Sequence, residues 1–378
     1  MKTVFFKSLL MSIFLCSISC TEDFFENEIP KSEPIAGKTT IGAYQSSLPY
    51  NLNVVYFIPS DVSARPEYER RISEFLLAAQ EYYRQNMYNW GYGNRTFGLL
   101  KNPTTNRIKI NVVSGSKPMA SYNYSSGNQI LSEVNSWFAV HPTDKTSEHT
   151  IVFTATPSIN TEIPYYGLGR NCFVGDNEYN DYQYFNQNTT RGNQVKAYMG
   201  GLLHELGHGM NLPHDALPKS LQNTPGYGTS LMSWGNQTYG YSSTILSKPT
   251  AAILNNCQLF STVAKPAGYF YNQNHGMQAS VTQRTLSNGR IHVWGNFSVG
   301  SPINSLNVYF MPKDAPYHAV SGTAIQGSNA FYTYLDISDL YLTDRSYTIV
   351  VQAQFVDGGS NWQTFPLFNF VNGTPVIQ

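Results

Sequence analysis

The residues with the clearest chemical potential are His204-Glu205-Leu206-Gly207-His208. They lie in a helical pattern from Gln194 to Met210, where Val195, Tyr198, Leu202, Leu203 and Leu206 recur as core contacts. A spacing of four sets both imidazoles on one helix face. Neutral imidazole nitrogens suit zinc, which takes about four ligands and, where catalytic, keeps one position for water. His214 supplies the third nitrogen, because Gly209 and Asn211 let the helix end and the chain reverse. The chemistry expected is hydrolysis of an amide: one zinc ion activates water and polarises the scissile carbonyl. Glu205, which a purely structural site would not need, accepts the proton and returns it to the departing amine. The other histidines, among them His141, His149, His275, His292 and His318, read as surface or satisfied core groups.

From His204 to His214 the chain reads HELGHGMNLPH. This resembles the long zinc motif of the metzincin peptidases, H-E-x-x-H-x-x-G-x-x-H, at every ligand position and at the glutamate. Asn211 stands where the family has glycine, and asparagine is the non-glycine residue best suited to a left-handed backbone. The resemblance implies a methionine turn beneath the metal, and Tyr227 to Gly235 (YGTSLMSWG) supplies Met232 for it. Some metzincins place an extra tyrosine ligand two residues after that methionine; here the position is Trp234, and nothing in the spacing brings Tyr239 or Tyr241 to the metal. Asp215 is expected either to orient a ligand or to stabilise an exposed turn. Family members hold extended substrate along an edge strand, for which Asn171 to Gly175 is the candidate. A cysteine on zinc, the family's latent form, is not expected.

The elements that must position these groups read as an α/β order. Leu52 to Pro59 is a strand, Pro66 opens a helix with Ile72, Phe75, Leu76, Ala79 and Tyr83 on one stripe, and Thr96 to Leu100 and Arg107 to Val113 read as strands. Gln129 to Phe138 follows as a helix, then Thr150 to Thr156 as a strand; Thr250 to Phe260 is expected as a closing helix. Asp176, Glu178 and Asp181 fit no EF-hand spacing and read as a solvated acidic loop rather than a calcium site. From about Gly268 the pattern becomes short alternating runs, Ile291 to Val299, Leu306 to Met311, Phe331 to Ile337, Tyr347 to Phe355 and Gln363 to Phe370, as in a β-sandwich. Leu342 to Ala353 followed by Asp357-Gly358 resembles the corner of immunoglobulin-like or fibronectin type III domains, with Tyr347 as corner tyrosine.

Lys2 and Lys7 flank the apolar run Val4 to Leu15, followed by Ser17, Ser19 and Cys20, a signal-peptide layout. The segment resembles the lipoprotein box of bacterial lipoproteins, which implies a lipid on Cys20 and, with the acidic cluster Glu22 to Glu28, the outer membrane or cell surface of a Gram-negative bacterium; the alternative is ordinary cleavage and secretion. Four cysteines then leave Cys172 and Cys257, either as one disulfide or as two buried thiols. The 24 Lys+Arg equal the 24 Asp+Glu, so no basic excess is available for nucleic acid or an anionic membrane. With 378 residues, 41% of them hydrophobic, the chain has material for two ordinary domains.

The expected organisation is a lipoprotein signal peptide (1–20), a tether (21–45), an α+β metzincin-like domain with a twisted mixed sheet and an active-site helix (46–265), and an all-β immunoglobulin-like sandwich (268–378). The expected function is that of a monomeric, exported zinc endopeptidase acting on extracellular proteins or glycoproteins, reaching the membrane only through its lipid. Two alternatives stay open. One is a surface adhesin or glycan binder with a vestigial zinc site; the other is hydrolysis of a non-peptide amide.

Overall fold

In the computed structural model, which describes residues 39–158, 162–271 and 275–378, the run Asn53–Ile58 (NVVYFI) forms a strand buried along almost its whole length. Burial on both faces calls for a parallel sheet covered on two sides. Val54 and Tyr56 point into one core, Val55 and Phe57 into another. The sheet runs Asn111–Ser114, Asn53–Ile58, Thr150–Ala155, Asn171–Asp176 and finally Gly167–Leu168. All neighbours are parallel except the last pair, which is antiparallel with Gly167 opposite Cys172.

One face is covered by a first helix, Tyr68–Asn89, and by the active-site helix, Thr190–Gly209. Ile72, Phe75, Leu76, Ala79 and Tyr83 meet Val195, Met199, Leu202, Leu203 and Leu206 in this core. The helix Gly127–Val140 covers the opposite face with Ile130, Val134 and Phe138. Thr189 starts the active-site helix by accepting the Gly192 N–H at 3.1 Å, a serviceable N-cap.

Several expectations are corrected. Asn171–Asp176 is an inner strand, so the edge above the active-site helix is Gly167–Leu168. Residues 39–46, expected as the end of a tether, form a hairpin, Thr39–Ile41 with Tyr44–Ser46, that continues through Lys101–Asn102 to Arg107–Ile108. Thr96 to Leu100 is not a strand, because Gly98 is taken up by hydrogen bonds to Leu52 and Leu259. The run 107–113 is split between this small sheet and the central one. The closing helix is Lys248–Asn256; it begins at the Ser247 cap and gives way to a 3-10 turn, Gln258–Phe260.

The C-terminal region builds two antiparallel sheets. One runs Met277–Ser287, Arg290–Val299, Ala330–Asp336, Ile325–Gln326. The other runs Val320–Thr323, Ile303–Pro312, Tyr347–Phe355, Ser360–Val371, Thr374–Ile377. Ile291, Val293 and Phe331 of the first share a core with Leu306, Val308, Ile349 and Val351 of the second. The Tyr347 hydroxyl donates to the Leu342 carbonyl at 2.8 Å. This region is stitched to the segment after His214: Ala216 N–H donates to Ala319 O at 2.7 Å, and Ser321 N–H to Ala216 O at 3.0 Å. The expected signal peptide, Cys20 and the first part of the expected tether lie outside the described residues. Among those described, no helix is long and apolar enough to cross a membrane.

Candidate metal centre and catalytic cleft

The active-site helix carries His204 and His208 on adjacent turns and ends at Gly209. Asn211 then takes φ 67°, the left-handed conformation that the turn requires, while Leu212 N–H reaches back to Gly207 O at 3.0 Å. The reversal returns His214 beneath the helix. His208 Nε2 lies 3.1 Å from His204 Nε2 and 3.0 Å from His214 Nε2. The other nitrogens are committed: His204 Nδ1 bonds Leu231 O and His208 Nδ1 bonds Leu212 O, each at 2.8 Å. A backbone carbonyl can only accept, so in His204 and His208 the proton sits on Nδ1 and the Nε2 lone pairs face His214 Nε2.

Burial, with repulsion from neighbouring imidazoles, pushes His204 down to about 4 and His214 to about 3; burial also lowers His208. Three neutral imidazoles with facing lone pairs repel one another unless a cation lies between them. A tetrahedral ion with nitrogens at about 2.0–2.1 Å separates its ligands by roughly 3.3 Å, close to the spacing observed. The group His204, His208, His214 therefore fits a metal ion, and imidazole donors suit a late first-row divalent cation.

Glu205 stands half-buried beside the triad. Burial pushes its carboxyl up to about 7, against the opposing effect of the nearby Gly167 N–H. Gly167 can approach this closely only because it lacks a side chain: a Cβ there would lie 2.1 Å from His208 Cβ. Edge strand and active-site helix thus touch backbone to backbone at the base. Met232 is fully buried, and its Sδ would lie 2.7 Å from a Cβ at Gly207, so it packs directly under the helix between the two histidine positions.

Asp215 neither orients a ligand nor sits on an exposed turn. It is fully buried and accepts from Ser230 Oγ at 2.7 Å, Ser321 Oγ at 2.8 Å and Ser247 Oγ. Burial raises its carboxyl above the usual range despite these donors. The carboxylate joins the loop before Met232, the closing helix and the C-terminal sheet at the residue next to His214.

Cys172 and Cys257 are two free, buried thiols rather than a bridge. Cys172 packs against Gly209, whereas Cys257 faces His149 and Tyr271. Nor is the acidic segment a solvated loop. Asp176 pairs with Arg71 in the core, Asp181 with Arg70 and Glu178 with Arg65. Tyr239 packs on Tyr82 and Phe185, and Tyr241 lies under Lys196; both are committed away from the metal centre.

A tyrosine does reach the centre, from a part of the chain that spacing could not indicate. Tyr317, in the 3-10 turn Pro316–His318 of the C-terminal region, lies with its ring 3.9 Å from His214, and Trp234 stacks on its other side at 5.3 Å. Burial and the Glu205 charge raise its phenol, so the O–H is retained. His149, expected as a satisfied core group, donates from Nδ1 to Gly209 O at 2.7 Å and accepts from the Tyr271 hydroxyl at 2.6 Å, which fixes the end of the active-site helix. A cavity of about 440 Å³ opens on the same side as Tyr165, lined by Tyr124, Thr156, Asn177, Gln194 and Tyr198. Tyr165 in turn covers Gly201 and feels the Glu205 charge.

No family model matches the sequence, and no curated protein matches it. Solved structures do. Catalytically inactive OgpA from Akkermansia muciniphila, bound to an O-glycopeptide substrate, glycodrosocin, superposes with a TM-score of 0.78 at 32% identity, over 85% of this chain and 93% of that one. Wild-type OgpA in one crystal form gives 0.78 and 32% over 85% and 94% of the two chains. A second crystal form gives 0.77 and 31% over 90% and 97%. At this identity over nearly the whole of both chains, together with a histidine triad that can hold a metal, the chain belongs to the family of the peptidase OgpA.

Proposed function

We propose that this chain is a zinc-dependent endopeptidase of the metzincin type that hydrolyses O-glycosylated peptides and proteins. The observation that carries the reading is the convergence of three Nε2 atoms beside the half-buried Glu205 carboxyl. His204, His208 and His214 would hold a divalent cation, which would supply Lewis acidity towards water and a carbonyl. Glu205 takes the proton from the attacking water and delivers it to the amine as the C–N bond breaks. Gly167 N–H lies beside the carboxylate that makes both transfers, and Gly167–Leu168 offers the unpaired edge along which an extended peptide can lie. Met232 serves as the packing residue of a methionine turn, supporting the triad from below.

The glycan part of the reading is supported by the O-glycopeptide bound to OgpA and by the cavity at Tyr165, where rings and amide side chains suit the apolar and hydroxyl faces of a sugar. We read residues 268–378 as the immunoglobulin-like domain and Cys20 as the lipid-bearing residue of an exported mature chain. A surface binder with a vestigial metal site is not favoured, given a peptidase relative at 32% identity.

The test is metal analysis of the chain lacking residues 1–20, with cleavage of glycodrosocin and of the same peptide without its glycan. Stoichiometric zinc, cleavage of the glycosylated form only, and loss of that cleavage in Glu205→Gln with zinc retained are expected. Equal cleavage of both peptides removes the glycan from the reading, and cleavage that survives Glu205→Gln removes the mechanism.

A further inference from the structure

We propose that the C-terminal region supplies a catalytic residue: the Tyr317 hydroxyl donates a hydrogen bond to the scissile carbonyl oxygen as negative charge gathers on it. The inference rests on the hydrolytic reading above. Its basis is placement. The ring lies against His214 at 3.9 Å and 33°, runs nearly parallel to His204 at 6.0 Å and 14°, and is backed by Trp234 at 5.3 Å and 26°.

The backbone under the ring is anchored from two sides by segments that build the metal centre. Ser233 Oγ, one residue after Met232, donates to Tyr317 O at 2.7 Å, and Ala216 N–H, two residues after His214, donates to Ala319 O at 2.7 Å. The side chain is half-buried, and its hydroxyl makes no hydrogen bond to another described residue. A phenol pinned this firmly beside three converging nitrogens, with an uncommitted donor, is preorganised for an acceptor that arrives with the substrate.

The step balances. Water oxygen bonds to the carbonyl carbon, the C=O π pair moves onto the carbonyl oxygen, and Glu205 takes the water proton. Tyr317 shares its proton with that oxyanion without transferring it. The oxyanion pair then re-forms C=O, the C–N pair leaves on nitrogen, and nitrogen takes the proton from Glu205. Tyr317 acts while the charge is present and is unchanged at the end.

The test is Tyr317→Phe in the full mature chain, which keeps the ring against His214 and removes only the donor. Losing one such donor costs about 100-fold in kcat. KM should stay within about threefold, since a bond made only in the transition state leaves ground-state binding alone. Metal content and unfolding midpoint should match wild type. Glycodrosocin should bind Glu205→Gln equally tightly with or without Tyr317→Phe, whereas a tetrahedral phosphinate peptide should bind Tyr317→Phe about 100-fold more weakly than wild type.

If wild type cleaves glycodrosocin and Tyr317→Phe retains kcat within threefold, the inference is wrong while the hydrolytic reading stands. A kcat loss accompanied by loss of metal reduces Tyr317 to a wall of the site and also overturns it. If wild type itself cleaves nothing, the inference falls with the reading beneath it. Should Tyr317→Phe fail to fold, Ser233→Ala, which frees the turn but keeps the ring, is expected to lower kcat at unchanged metal content; unchanged kcat there overturns the inference.

Discussion

Replacing Gly167 with alanine should uncouple stability from catalysis. The new Cβ would sit 2.1 Å from His208 Cβ and 3.2 Å from His208 Cα and C, whereas ordinary contact begins near 3.4 Å. Real Cβ atoms do not approach closer than 3.0 Å, so the edge strand must withdraw from the active-site helix by at least about 0.9 Å. The close atoms are the first carbon and backbone of His208, a candidate metal ligand, so no flexible side-chain end can give way. Overpacking of this kind costs about 1–3 kcal/mol, which a chain of this size survives. The functional loss should be larger, because the same movement draws the Gly167 N–H away from Glu205 and shifts the edge along which the proposed function lays the peptide. Misplacement by about 1 Å is worth roughly 100-fold. Gly169→Ala is the control: its backbone is left-handed at φ 60°, but nothing lies within 4 Å, so it should show strain of about 1 kcal/mol and near-normal turnover. Urea unfolding and kcat/KM on glycodrosocin measure the two effects. If Gly167→Ala turns over within threefold of wild type, the tight seam does not set the position of Glu205.

Three further outcomes follow from buried groups. Burial holds His149 at about 4 against an ordinary value of about 6.5, so the unfolded chain takes up a proton over that interval that the folded chain refuses. Stability is then complete above pH 6.5 and falls as pH drops towards 4, by roughly 3 kcal/mol; urea midpoints at pH 7 and 4.5 should converge less steeply for His149→Gln than for wild type, and equal slopes would sink the assignment. Both thiols are buried, with Cys257 pushed up to about 11, so a thiol reagent should find none in the native chain lacking residues 1–20 and two after denaturation. Ser321→Ala removes one donor from the buried Asp215 carboxylate and should cost about 2 kcal/mol by urea unfolding; a change below 0.5 kcal/mol would mean that water replaces the hydroxyl.

The candidate metal centre was legible because its information is local. Two histidines four apart need only a helix, and the third needs only one left-handed residue, which Asn211 provides at φ 67°. The strand Asn53–Ile58 was legible for a similar reason, since a continuous apolar run of strand length has few other uses. What escaped were contacts made across distance in sequence. Tyr317 meets His214, and Ser321 meets Asp215 across 106 residues; neither neighbourhood shows any spacing that announces the pairing. Gly167 escaped because the need for a missing side chain arises only once two backbones touch. The order of the last two strands escaped because Gly167–Leu168 is too short to show any period. The acidic segment misled because arginines far upstream, Arg65, Arg70 and Arg71, decide whether its carboxylates face solvent.

The bridge between Ala216 and Val320 has a consequence for how this molecule can be divided. Many hydrolases carry accessory domains on tethers, and those domains can be exchanged or removed while the catalytic half keeps its shape. Here the strand that begins the second sheet closes on the residues directly after the third histidine, and the turn before it lays a ring on that histidine. A chain ended at residue 265 would leave the Asp215 carboxylate short of a partner and open one side of the centre to water. The two halves are therefore expected to melt in one transition, with metal binding raising the stability of the sandwich as much as that of the helix that holds the ion.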